Sequence, residues 1–176
     1  MGTPVLASDG QPVSAGNGQN GHSPAFPPRL LTDLLDRATR DYGDRIAIDF
    51  LGRRWTYSEL GELVERAARG LQDIGVKPGD RVGLCLPNTH YYVVLYFATL
   101  RVGGIVVNLN PLYVERELTH LLKDSGASVV VTCDLPPIHA KVAKVAAAVG
   151  VRRLVVCSIG DALPPLKSLA SRLFTR

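Results

Sequence analysis

The sequence predicts an α/β fold, a parallel sheet of β-α-β units with a β-hairpin ahead of it. Three observations carry this expectation. Four runs, 81–86, 104–109, 128–133 and 154–158, are apolar almost without a break, as strands buried on both faces are. Between them lie stretches with apolar residues at helical spacing, and strands alternating with helices build a parallel sheet covered on both sides. Before them, two short runs flank Leu51-Gly52, the pattern of a hairpin on a glycine turn. Consecutive units of this kind cross over right-handedly.

Residues 1–28 are rich in Gly, Pro, Ser, Asn and Gln and carry one formal charge, Asp9. Too few apolar side chains are present to offset the entropy of ordering them, so a flexible tail is expected. Gly16, Gly18 and Gly21 spell the G-x-G-x-x-G of dinucleotide sites. That fingerprint works only between a strand and a helix, and neither flank is present.

The body of the chain is expected over 29–160. Leu30, Leu31, Leu34, Leu35 and Ala38 recur at helical spacing, which predicts a short amphipathic helix over 30–42 with Thr32 or Asp33 near its start. Strands over 45–50 and 53–57 form the hairpin. Thr56 and Glu59 then make a capping box, each side chain accepting from the other residue's unpaired backbone N–H. The helix that follows places Leu60, Leu63, Val64, Ala67, Leu71 and Ile74 on one face, and Gly75 suits the left-handed stop. Pro78-Gly79-Asp80 turns the chain into the strand 81–86.

A helix over 89–101, capped by Asn88 or Thr89, is apolar nearly all round and is expected to be buried on most sides. After the strand 104–109, a helix over 114–124 ends near Gly126. The strand 128–133 leads to a helix whose face is Ile138, Val142, Val145 and Val149 and whose stop is Gly150, before the strand 154–158. In 161–176, Leu163, Leu166, Leu169 and Leu173 share a face beside Lys167, Arg172 and Arg176, a basic amphipathic tail.

Composition excludes several classes of function. At 176 residues and 46% hydrophobic content the chain can bury a core, and its 20% charged and 6% aromatic residues suit neither a coiled coil nor a disordered binder. The net charge of +4 gathers near the C-terminus rather than in a dense stripe with interleaved aromatics, so no nucleic-acid partner is expected. Cys85, Cys133 and Cys157 form no Cys-x-x-Cys pair and sit in apolar runs, which reads as reduced, buried thiols of a cytoplasmic protein. The N-terminus lacks a charged start and an apolar stretch of signal-peptide type, Leu6 stands where myristoylation favours Ser or Thr, and no apolar run is long enough to span a membrane.

Residues that carry chemistry are missing as patterns. There is no Gly-rich loop ending in Lys-Ser/Thr to cradle phosphates, and no Gly-x-Ser-x-Gly nucleophile elbow. Gly103-Gly104 precedes a strand between Val and Ile, where close packing or backbone geometry explains it. His22, His90, His120 and His139 have no metal or triad spacing, and the last three are expected on exposed or partly exposed helix faces. Glu115 with Glu117, and Asp33 with Asp36, read as solvated surface.

Four segments in order nevertheless resemble one family. Trp55-Thr56-Tyr57-Ser58-Glu59-Leu60 resembles the first core motif of the adenylate-forming superfamily of acyl-CoA synthetases, luciferases and peptide-synthetase adenylation domains. Gly75 to Val82 and Leu86-Pro87-Asn88 continue the similarity. The stretch from Leu100 to Pro111 is similar to the second core motif, and Glu117-Leu118 with Asp124 to Ala127 follows it. The resemblance covers about 30–158, and Asn110-Pro111 is more similar to acyl-CoA synthetases than to peptide-synthetase domains.

The resemblance implies the incomplete N-terminal subdomain of a bacterial long-chain fatty acid CoA ligase. It further implies an activity of the full-length enzyme in which a carboxylate attacks ATP-Mg to give an acyl-adenylate, followed by thioester formation with coenzyme A. The family's phosphate loop, aromatic-Thr-Glu segment, ribose-binding Asp and C-terminal Lys map onto no residue here. No catalytic, cofactor-binding or metal-binding residue is therefore assigned, and neither activity nor a cofactor is expected of this chain alone. The alternative is a stand-alone module that pairs with a ligase or docks at the inner membrane face. Exposed apolar surface would also favour self-association. A flavodoxin-like nucleotide binder shares the alternation of elements but has no cofactor loop to support it.

Overall fold

The computed structural model describes residues 30–164, in which six helices and six strands alternate except where β1 runs straight into β2. The helices are α1 (Leu31–Tyr42), α2 (Tyr57–Asp73), α3 (His90–Arg101), α4 (Glu115–Ser125), α5 (Pro136–Val149) and the one-turn α6 (Ile159–Ala162). The strands are β1 (Ile46–Phe50), β2 (Arg53–Thr56), β3 (Arg81–Leu84), β4 (Ile105–Asn108), β5 (Val129–Cys133) and β6 (Arg153–Cys157). The tail expected over 1–28 and the amphipathic face beyond residue 164 lie outside the described residues.

Local chemistry sets the element ends. Thr56 Oγ1 accepts from the Glu59 N–H at 3.2 Å while Glu59 Oε2 accepts from the Thr56 N–H at 2.8 Å, so α2 starts on the expected capping box. It stops in a Schellman motif: the Gly75 N–H donates to the Gln72 carbonyl and the Val76 N–H to the Leu71 carbonyl, with Gly75 at φ +86°. The same pair of bonds, centred on Gly103 and on Gly150, ends α3 and α5. Leu51 at φ +54° and Gly52 at φ +94° join β1 to β2. Two positive φ values in a two-residue loop match the right-handed twist of the hairpin strands.

The main sheet is wholly parallel, in the order β4-β3-β5-β6. Chain order therefore runs outward from β3 to β4, returns to the other side of β3 as β5, and continues to β6. Alternate residues feed two cores. Val82, Leu84, Val129, Val131 and Cys133 pack beneath α1, α2 and α3, while Cys85, Val130 and Leu109 pack beneath α4 and α5. Gly83 is required between them, since a Cβ there would come within 3.0 Å of Leu109 Cδ1 and 3.3 Å of Val130 Cγ2. Arg101 reaches across α1, α2 and α3 to Asp36 and Glu65.

Three features depart from expectation. Helix α3 buries Val94, Leu95, Ala98 and Thr99 but leaves Tyr92, Val93, Tyr96 and Phe97 half-buried, because among the described residues α2, α1 and one face of the sheet cover chiefly its other side. Strands β3 and β4 are each two residues shorter than their apolar runs: Gly104 closes α3 instead, and residues 85–86 and 109 lie past the strand ends yet stay in the core, with the Cys85 and Leu109 N–H groups still donating to the Val131 and Leu84 carbonyls. The turn α6 carries no hydrophobic period and is held instead by tertiary bonds, among them Ile159 N–H to Asp134 Oδ1 at 2.9 Å.

Candidate functional site

In an open parallel sheet, ligands occupy the crevice beyond the carboxyl ends of the strands, near the point where successive connections part. Here the β3 connection leads to one side and the β5 connection to the other. A cleft of about 580 Å³ lies at the ends of β3 and β4, lined by Leu86, Pro87 and Asn88, by residues 108–113, and by Tyr92 and Ile138. Tyr92 Oη donates to Asn108 Oδ1 at 2.7 Å, and Asn110 Oδ1 accepts from the Leu112 N–H at 2.9 Å. Lys141, from α5, donates to the carbonyls of Pro111 at 2.8 Å and Tyr113 at 2.5 Å, and so pins the wall of the cleft.

The lining decides what the cleft can hold. It presents amides, phenols and apolar side chains, and among the described residues no ammonium, guanidinium or carboxylate lines it. The nearby cation of Lys141 is engaged with loop carbonyls. Thr89 caps α3 by position only: its side chain makes no cap bond, and Oγ1 is buried without a partner among the described residues. A nucleoside triphosphate with magnesium needs cationic side chains or a Gly-rich nest and hard oxygen ligands. The residues lining this cleft do not fit that group.

His90 departs from the exposed position expected of it. It is 5% exposed, its ring stacks on Trp55 at 4.1 Å and lies 4.0 Å from Tyr91, and Arg53 sits 4.9 Å over the Trp55 ring. Burial, and then the Arg53 charge, lower its pKa to about 4, so the imidazole is neutral near pH 7. Its position as the first residue of an apolar helix, one turn from Trp55 in space but 35 residues away in sequence, gave no local signal.

His120 is exposed on α4 and His139 half-exposed on α5. The carboxylates expected to be solvated do lie at the surface, where each also has a partner. Glu115 pairs with Lys144 at 2.7 Å, Glu117 accepts from the Val114 N–H at 3.0 Å, Asp33 accepts from the Leu30 N–H, and Asp36 pairs with Arg101. Among the described residues no cluster of His, Cys, Asp and Glu could hold a metal ion, and no helix is long and apolar enough to cross a membrane.

The family model described as AMP-binding enzyme matches residues 35–173. The chain belongs to the AMP-binding enzyme family. A long-chain-fatty-acid–CoA ligase of Bacillus subtilis is 34% identical over 148 residues, 84% of this chain and 26% of the relative. Triostin synthetase I of Streptomyces triostinicus is 44% identical over 99 residues, 56% of this chain and 19% of that relative. Among solved structures, the N-terminal domain of FACL13 from Mycobacterium tuberculosis superposes with a TM-score of 0.63 at 24% identity, covering 84% of this chain and 36% of that one, which speaks to the fold. The chain thus spans about a quarter of the length of the ligase it matches. The two core motifs read from the sequence occupy the end of β2 with the start of α2, and the α3–β4 connection with the wall of the cleft.

Proposed function

We propose that this chain is the N-terminal portion of an ATP-dependent long-chain fatty acid CoA ligase of the cytoplasm, and that it shapes one wall of the active site without carrying the reacting groups. The reading rests on one observation: similarity to a CoA ligase runs through most of the chain while the cleft lining holds no charged side chain. In the full enzyme, ATP, magnesium and coenzyme A would be gripped by later parts of the polypeptide. A fatty acid carboxylate would displace pyrophosphate at the α-phosphorus, and the coenzyme A thiol would then displace AMP from the acyl carbonyl. The sheet and its two covered faces would supply rigidity, since a rigid frame is what holds reacting atoms in line.

Pyrophosphate exchange into ATP with palmitate provides the test. The 176-residue chain alone gives no exchange above background. A chimera in which residues 30–164 replace the matching stretch of the Bacillus subtilis ligase gives exchange and forms acyl-CoA. Exchange by the isolated chain, or a folded chimera that forms no adenylate, overturns the reading. The module alternative, with membrane docking through the basic C-terminal residues, predicts salt-sensitive co-sedimentation with anionic vesicles.

A further inference from the structure

Cys133 closes β5, Cys157 closes β6, and the two are direct partners in the register of adjacent parallel strands. Both side chains belong to the core face beneath α1, α2 and α3, and both are free thiols. Cys133 is fully buried, whereas Cys157 is half-buried and lines a largely apolar recess of about 310 Å³ with Leu63, Ala67 and Val94, where Arg66 and His90 also form part of the wall. Cys85, the third cysteine, serves the opposite core. We propose that Cys133 and Cys157 form a dithiol site for a trivalent organoarsenical, which bridges the two sulfurs and seats its organic group in the recess.

Both thiols are free, and a ladder that holds parallel strands about 4.8 Å apart sets the two register partners close enough to share one bridging atom. That ladder is intact here, with the Asp134 N–H donating to the Cys157 carbonyl at 3.0 Å. An atom placed between the sulfurs spans the gap with two bonds. Soft sulfur selects a soft partner, and a tetrahedral zinc ion would want four ligands, which the described residues do not supply. A pyramidal trivalent centre needs two sulfurs and one carbon.

The low polarity of the site requires a neutral product. Burial raises both thiols, with Cys157 pushed up to about 12, so buried thiolates are disfavoured. In the capture step each sulfur attacks arsenic and each arsenic hydroxyl leaves with a thiol proton. Two S–As bonds form, two As–O bonds break, two waters depart, and arsenic stays trivalent. Nothing charged remains in the core and no oxidant is consumed.

The experiment treats the reduced 176-residue chain with one equivalent of phenylarsine oxide, then denatures it and alkylates with N-ethylmaleimide. All three cysteines are labelled in the untreated chain. After treatment only Cys85 is labelled, the intact mass rises by one phenylarsenic group less two hydrogens, and dimercaptopropanol but not glutathione reverses the change. Cys85→Ala keeps the adduct and Cys157→Ala loses it. Protection of Cys85, or labelling of all three cysteines after treatment, overturns the proposal; this readout on the unaltered chain stands even where a variant folds poorly.

Discussion

Replacing Gly104 by alanine is expected to be the most damaging one-methyl change at any glycine of the sheet face. A Cβ built there falls 3.0 Å from the Thr99 carbonyl oxygen, 3.0 Å from Thr99 Cγ2 and 3.3 Å from the Asp80 carbonyl oxygen. Neither carbonyl can recede cheaply. The Gly104 N–H bonds to the Thr99 oxygen at 2.8 Å, closing α3, and the Ile105 N–H bonds to the Asp80 oxygen at 2.8 Å, starting β4. Overpacking of this kind costs about 1–3 kcal/mol, and weakening one of the two bonds adds about 1 kcal/mol. A loss of roughly 2–4 kcal/mol follows. Trp55, the only tryptophan and a core residue, reports unfolding by fluorescence. With a urea slope of about 2 kcal/mol/M, the midpoint falls by about 1–2 M. Gly126→Ala is the control: its φ is +63° and nothing lies within 4 Å of its Cβ position, so it pays only about 1 kcal/mol for left-handed backbone. A Gly104→Ala midpoint no lower than that of Gly126→Ala refutes the crowding argument.

Stability should also depend on His90. Its folded pKa of about 4 lies below the unfolded value of 6.5, so above pH 6.5 its contribution is fully present. Between pH 6.5 and 4 the unfolded chain takes a proton that the folded one refuses, and stability falls. From pH 7 to 4.5 this amounts to about 2–3 kcal/mol, and a His90→Gln variant shows a drop smaller by that amount in paired urea titrations. Lys141→Met removes the two bonds that hold the carbonyls of Pro111 and Tyr113; amide exchange at Leu112 to Val114 should quicken about tenfold, as expected from losing about 1.4 kcal/mol of local stability. Leu51→Asn, which tolerates the φ of +54°, should raise the thermal midpoint through a gain of about 0.5–1 kcal/mol.

By itself the sequence determined the order and type of nearly every element, because those follow from local rules. Thr56 with Glu59 and Gly75 with Val76 satisfy the orphan backbone groups at either end of α2 within a few residues, and unbroken apolar runs mark strands with two covered faces. Gly103-Gly104 was likewise legible as geometry: Gly103 takes φ +74° and Gly104 the close approach. Family membership was legible for the same reason, since the core motifs are contiguous in the chain.

Only the tertiary structure decided the strand order β4-β3-β5-β6, the side of the sheet on which each helix lies, and hence where the cleft opens. It alone placed His90 against Trp55, Lys141 against the loop 111–113 and Cys133 beside Cys157. Each of these pairs joins residues more than 20 positions apart, and nothing local distinguishes a buried histidine from an exposed one or a loop-pinning lysine from a solvated one. Their surroundings come into being when the sheet assembles and water leaves, and that step depends on the whole chain.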